Sequence, residues 1–216
     1  PADGSETSVN RGFYYDNGSS SYGWNNPGAA DQEEMEFWNT TFDVNQTIKS
    51  LPAGYYQLSV QGFYRMGGYS EAAAANADFA ANARLYATVG ENAWEQPLMN
   101  MFDGAATESV SPTNEASVEI DGVTRFFPDR MDCGQAYFAA GYFRGNTLCF
   151  YTDGTDVQIG IKKDVHVGYD WTLFDDFCLH YLGTTAPTSV SAATATGSIV
   201  SQHYYTIGGI RLDRPM

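Results

Sequence analysis

Residues 159–183 read IGIKKDVHVGYDWTLFDDFCLHYLG, and they decide the fold class. Residues 157–163 and 171–182 alternate apolar and polar side chains with the period of two that marks a strand with one buried face. On the second run this alternation sets Leu173, Phe177, Leu179 and Tyr181 toward a core and Asp176, Cys178 and His180 away from it. Residues 147–152, ending at Asp153-Gly154, supply a third strand. Toward the N-terminus, EFWNTTFDVNQTI at 36–48 places Phe42, Val44 and Ile48 on one face. After the Leu51-Pro52-Ala53-Gly54 turn, residues 55–64 resume the alternation, with Tyr56, Leu58, Val60 and Gly62 on one side. The two runs together predict an antiparallel hairpin. Further strands are expected at 84–90, after a turn at Glu91-Asn92 at 95–101, and at 117–120 and 123–127 around Asp121-Gly122. Residues 103–116 are expected to be a long surface loop. Two short helical insertions complete the pattern, an Ala-rich one within 67–83 and MDCGQAYFAAGYF at 131–143. The class is all-β, a sandwich with short helical insertions.

Composition excludes several kinds of partner. The 216 residues carry 26 acidic and 11 basic side chains, a formal net charge of −15. Nucleic-acid binding needs a surplus of Lys and Arg that displaces counterions from phosphates, and that surplus is reversed here. Anionic lipid surfaces are disfavoured by the same field. No apolar run approaches the 18 or so residues that cross a bilayer, so membrane insertion is not expected. With 43% hydrophobic and 15% aromatic residues against 17% charged, the chain has the material for a substantial core.

Three cysteines, Cys133, Cys149 and Cys178, allow at most one disulfide. Cys149 and Cys178 both fall opposite the main apolar face of their strands, which leaves open a bridge between neighbouring strands or buried free thiols. His166, His180 and His203 are too scattered to support a zinc site. Beyond Gly183 the composition shifts to a Thr, Ser and Ala run. The organisation expected is a β-sandwich over 1–183, a linker over 184–202 and a tail strand or hairpin over 203–216.

Four pieces in order carry a family resemblance: Gly23-Trp24, FWNTTFDVNQTI at 37–48, LPAGYYQLSVQGFYR at 51–65, and the opening stretch at 159–183. Together, from about Trp24 to Leu182, they resemble the galactose-binding-like jelly-roll modules of secreted Bacteroidetes proteins, which are carbohydrate-binding-module-like. The resemblance implies a non-catalytic domain that binds a polysaccharide or other glycan. In the tail, YYTIGGIRLDRP at 204–215 is similar to the opening of type IX secretion sorting segments, with Ile207 where that pattern has Leu. This implies a secreted or cell-surface bacterial protein.

The jelly-roll resemblance also implies a structural Ca²⁺, held by oxygen ligands near the last strand. Asp176 matches the family position, Asp175 lies beside it, and Glu34 or Glu36 can contribute. The alternative for Asp175 and Asp176 is solvation or capping of a strand edge. Sugar recognition relies on aromatic faces stacked against pyranose C–H groups, with polar groups fixing the hydroxyls. Trp24, Tyr64, Tyr69, Trp94, Tyr169 and Trp171 lie at expected strand ends or in loops, and Arg65, Asp164 and Asp170 are the polar candidates. Core packing is the competing role for each aromatic, above all for Trp38 and Trp171. Nucleophile elbow, zinc-protease helix, phosphate loop and dinucleotide fingerprint are all missing from the sequence, so no enzyme is expected. A rival reading is a structural or adhesive subunit that self-associates through residues 203–216 by strand addition.

Overall fold

The structure, a computed structural model, describes residues 14–16, 22–24, 34–68, 81–111, 113–120, 122–165, 167–187, 204–205 and 211–212. In chain order its strands are β1 (Tyr14–Asp16), β2 (Tyr22–Trp24), β3 (Met35–Trp38), β4 (Phe42–Ile48), β5 (Gly54–Arg65), β6 (Ala83–Val89) and β7 (Asn92–Pro97). There follow β8 (Glu115–Ile120), β9 (Val123–Pro128), helix α1 (Met131–Ala139), β10 (Asn146–Thr152), β11 (Val157–Lys163), β12 (Trp171–Gly183), β13 (Tyr204–Tyr205) and β14 (Arg211–Leu212). One five-stranded sheet has the order β1-β4-β11-β6-β7 and the other β10-β5-β12-β3-β2, with every pair antiparallel. From β3 to β6 and from β10 to β12, each strand lies in the sheet opposite to the one before it. That alternation makes the β-sandwich a jelly roll. Among the described residues no helix is long and apolar enough to cross a membrane.

The sandwich core is the product of the period-two patterns. Phe42 and Val44 of β4, Leu85 and Ala87 of β6, and Val157, Ile159 and Ile161 of β11 face Tyr56, Leu58 and Val60 of β5, Leu148 and Phe150 of β10, and Phe174 of β12. A second core lies on the outer side of the β5–β12 sheet. There Phe63, Trp171 and Leu173 are covered by Met101, Phe102, Ala106, Phe127, Cys133, Tyr137, Phe138 and Phe143. The chain from 98 to 146 therefore wraps half of that face. Gln61 and Asn146 fasten it: Gln61 Nε2 donates to the carbonyls of Phe138 (2.8 Å) and Tyr142 (2.7 Å), and Asn146 Nδ2 donates to those of Gly62 (2.8 Å) and Phe143 (3.1 Å). This covering explains why β5 alternates in burial only up to Val60 and is buried on both faces from there on.

Several expectations need correction. Strands β4 and β5 are not a hairpin, because β4 pairs with β1 and β11 while β5 pairs with β10 and β12; the 51–54 turn is a crossover between sheets. Residues 103–116 are not merely surface, since Ala106 is buried and bridges Phe126 through two backbone hydrogen bonds. The β6–β7 turn sits at Gly90-Glu91, with Gly90 at φ 57°, so β7 begins at Asn92 rather than Glu95. Helix α1 and the β8–β9 hairpin form close to where the sequence placed them, the helix ending at Ala139 rather than at 143 and β8 beginning at Glu115 rather than at 117. The Ala-rich stretch at 69–80 lies outside the described residues.

The largest correction concerns β12. Asp175 pairs with Gln61 but Cys178 pairs with Ser59, three steps on one strand against two on the other. This bulge, with Asp176 at φ 54°, exchanges the two faces. Before it Phe174 enters the sandwich and Leu173 the second core; after it Leu179 and Tyr181 return to the sandwich. Phe177 is left 41% exposed instead of in the core. The same topology decides between the two readings of the cysteines. Strand β5 lies between Cys149 on β10 and Cys178 on β12. Two strand spacings, about 9–10 Å, exceed what a disulfide spans. All three cysteines are free thiols.

Candidate functional site

The end of β3, the end of β11 and the start of β12 converge because Trp38 pairs directly with Trp171 and Lys163 reaches Asp170. Two residues here adopt left-handed backbone conformations, Asn39 at φ 53° and Tyr169 at φ 65°. Asn tolerates this region, but a bulky aromatic adopts it only when its surroundings impose it. The constraints are visible. Tyr169 N–H donates to Asn39 Oδ1 (2.9 Å), Asn39 N–H donates to the Asp170 carbonyl (2.7 Å), and Arg65 Nη2 donates to the Tyr169 carbonyl (3.3 Å). Held this way, Tyr169 is 62% exposed and Trp38 40% exposed, their ring centroids 6.1 Å apart at a 50° tilt. Val165 and Val167 of the same connection are also exposed.

A polar base with no exposed surface supports the rings. Asp170 and Lys163 are both fully buried, and Lys163 Nζ donates to Asp170 Oδ1 at 2.7 Å. Asp170 Oδ2 accepts from Tyr64 O–H (3.1 Å) and from Val167 N–H (3.2 Å). Burial pushes the Lys163 ammonium below the usual lysine range, and the charge of Asp170 opposes that shift. Burial, reinforced by the charge of Asp170, holds the Tyr64 phenol well above its usual range. Beside this clasp the guanidinium of Arg65 lies 5.3 Å from the Trp171 ring centroid and pairs with Asp129 at 3.1 Å. Trp171 Nε1 donates to Glu36 Oε1 at 2.7 Å. Burial raises the Glu36 carboxyl above its ordinary range; the Trp171 bond opposes this, Glu34 adds to it and Arg65 opposes it.

The structure thus brings together Tyr64, Arg65, Tyr169, Asp170 and Trp171, but of these five only Tyr169 is exposed. The others are the base. Trp94 is half-buried and packs against the sandwich core, its ring 6.2 Å from Phe150. Asp164 is an exposed carboxylate on the connection that carries Tyr169. The backbone of Trp24 pairs with Met35, and its side chain, like Tyr69, lies outside what is described. Sequence reasoning weighs Trp38 chiefly as core and does not single out Asn39, whereas the structure leaves Trp38 exposed beside Tyr169. The signal available was an aromatic at a strand end followed directly by Asn, a residue that favours the left-handed turn.

No family model and no curated protein matches the chain. Among solved structures it is similar to TmCBM61 in complex with β-1,4-galactotriose, at 13% identity and a TM-score of 0.42, over 82% of this chain and 90% of that one. A score of that size carries no argument about ligand or fold, and the fold stands on the strand pairing described above.

A second aromatic pair, Tyr55 and Tyr151, lies on the outer face of the β5–β10 pair with centroids 5.0 Å apart. These are cross-strand neighbours in regular strand positions. No backbone strain is spent to present them, which sets Trp38 and Tyr169 apart. Cys178 Sγ and His180 Nε2, 3.0 Å apart, share that face. Among the described residues no three His, Cys, Asp or Glu side chains gather as a group able to hold a metal ion. Asp176 occupies the bulge. Glu34 precedes and Asp175 follows the last β3–β12 pair, Met35 with Phe174.

Proposed function

We propose that the chain is a non-catalytic carbohydrate-binding module that takes a glycan across Trp38 and Tyr169. The observation that carries this is the exposure of both rings at a place where the backbone of Tyr169 is held in a costly conformation by Asn39 and Arg65. Tilted aromatic faces a ring's width apart suit the apolar C–H faces of pyranoses, and Asn39, bonded to the Tyr169 backbone, supplies a polar group at the rim. Nothing in the base argues for chemistry: Asp170 is buried and bonded to three donors, and Glu36 is engaged by Trp171. Affinity-gel electrophoresis against plant and host polysaccharides tests the reading. Retardation by at least one polymer is expected, and free migration on the whole panel contradicts it.

An extracellular bacterial setting belongs to the same proposal. It is supported by the aromatic-rich, Lys-poor composition and by the resemblance of residues 204–215 to sorting segments. A structural Ca²⁺ is also proposed, on the jelly-roll resemblance, with Asp175 and Asp176 on β12, Glu36 on β3 and Glu34 directly before β3 as the oxygen donors. If the ion is present, EGTA should lower the melting temperature by about 5–10 °C, the effect of removing a ligand held at about a hundredfold its Kd. An unchanged melting temperature speaks against it. For the rival reading, tail assembly, the structure offers the pairing of Tyr204 with Leu212 and Tyr205 with Arg211. Deleting residues 184–216 should leave glycan retardation intact under the module reading.

A further inference from the structure

Strand β12 carries Cys178 and His180 two positions apart, beyond the bulge at Asp176. The alternate residues Leu179 and Tyr181 pack on the sandwich core, so Cys178, His180 and Leu182 share the outer face. This spacing brings Cys178 Sγ within 3.0 Å of His180 Nε2. Both side chains are half-buried, and Phe177 and Leu182 on the same stretch of strand are exposed. Solvent therefore reaches the pair through an apolar margin. Neither of the other thiols has this arrangement. Cys133 is fully buried in the second core. Cys149 is separated from His180 by β5, since the two residues pair with Gln57 from opposite sides. Among the described residues His180 is the only histidine.

A thiol and an imidazole held together by one strand are a chelating pair, and their chemistry narrows the ion. Thiolate sulfur is a soft donor and imidazole nitrogen a borderline one, a set that suits Cu(I) and Zn(II) and does not suit Ca²⁺ or Mg²⁺. A structural zinc takes four protein ligands, and among the described residues no third His, Cys, Asp or Glu joins these two. Cu(I) is stable with two or three ligands. We propose that Cys178 and His180 form a binding site for a soft monovalent d¹⁰ cation of the Cu(I) class. The ion takes the place of the proton between sulfur and nitrogen. The S–H bond breaks, an S–Cu bond forms, the imidazole lone pair makes the second bond, and the proton leaves to solvent. No oxidation state changes, so no further reactant is needed. The net charge of −15 favours cations over the whole surface; the donor pair is what singles out this place. The site is independent of the glycan reading.

The full chain, reduced and kept free of oxygen, is titrated with Cu(I) in competition with a chromophoric Cu(I) chelator. The protein should withdraw one equivalent from the chelator. Cys178→Ser should abolish that withdrawal. His180→Ala should weaken it at least about tenfold, the scale of loss when a metal site is deprived of even a supporting group. Cys149→Ser should bind as the parent does. Melting curves of the ion-free variants separate loss of a donor from loss of the fold, and His180→Gln takes the place of His180→Ala if the latter melts early. Parental affinity in the His180 variant shows a thiol acting alone, loss in Cys149→Ser places the ion on β10, and no withdrawal shows no site; each overturns the proposal. Displacement of the ion by equimolar Zn²⁺ overturns it as well, because a site that prefers zinc does not select for low coordination.

Discussion

Replacing Asp170 by Ala should destabilise the protein by about 3–5 kcal/mol, the cost of leaving a buried charge without its partner. The side chain of Asp170 receives Lys163 Nζ, Tyr64 O–H and Val167 N–H, and neither member of the ion pair has exposed surface. Its removal strands an ammonium between the rings of Phe42 and Tyr64, whose centroids lie 5.8 and 5.3 Å away. The bond from Asn39 N–H goes to the Asp170 backbone carbonyl and survives the substitution, so the loss reports the carboxylate itself. For a chain of this size the melting temperature should fall by roughly 6–20 °C. The double variant Lys163→Met with Asp170→Leu should recover much of that loss, because a matched apolar pair leaves no charge to desolvate. A single variant that melts within about 1 kcal/mol of the parent would show that the clasp does not hold the β11–β12 connection.

Trp38→Ala should produce the opposite profile. The side chain is 40% exposed, and its ring contact is with Tyr169, so little stability is at stake. Its face is half of the platform, and truncating a central aromatic anchor typically costs at least 2 kcal/mol, about 30-fold in affinity. Titration against the polysaccharide that retards the parent should show that loss. Tyr151→Ala, at the other exposed aromatic pair, should bind as the parent does. Loss of binding in Tyr151→Ala with retention in Trp38→Ala would move the site to the outer face of the β5–β10 pair.

How much of this was legible in the sequence depended on what each signal reports. Alternation reports that a strand has one buried face, and it located β4, β5, β11 and the first half of β12. It does not report which strand lies alongside, so the short turn at 51–54 read as a hairpin although it crosses between sheets. Nor does it report a bulge. The last strand read as continuous, whereas Asp176 in the left-handed region reverses the facing of everything after it. Residue chemistry picked out side chains that the fold brings together, since Tyr64, Arg65, Tyr169, Asp170 and Trp171 converge. Exposure was not legible, because it depends on tertiary cover. Trp38 and Trp171 are direct cross-strand partners, yet Trp171 is sealed under Arg65 and the second core while Trp38 is open.

The central claim, that strain at Tyr169 is maintained to present a binding ring, is tested most directly by Tyr169→Gly, assayed for melting and for polysaccharide retardation in parallel. Glycine adopts a φ of 65° without the Cβ clash that tyrosine bears there. The variant should gain about 1 kcal/mol, or roughly 2–4 °C in melting temperature, and should migrate freely through the gel that retards the parent. A variant retarded as strongly as the parent, whatever its stability, would contradict the assignment of the site to Trp38 and Tyr169.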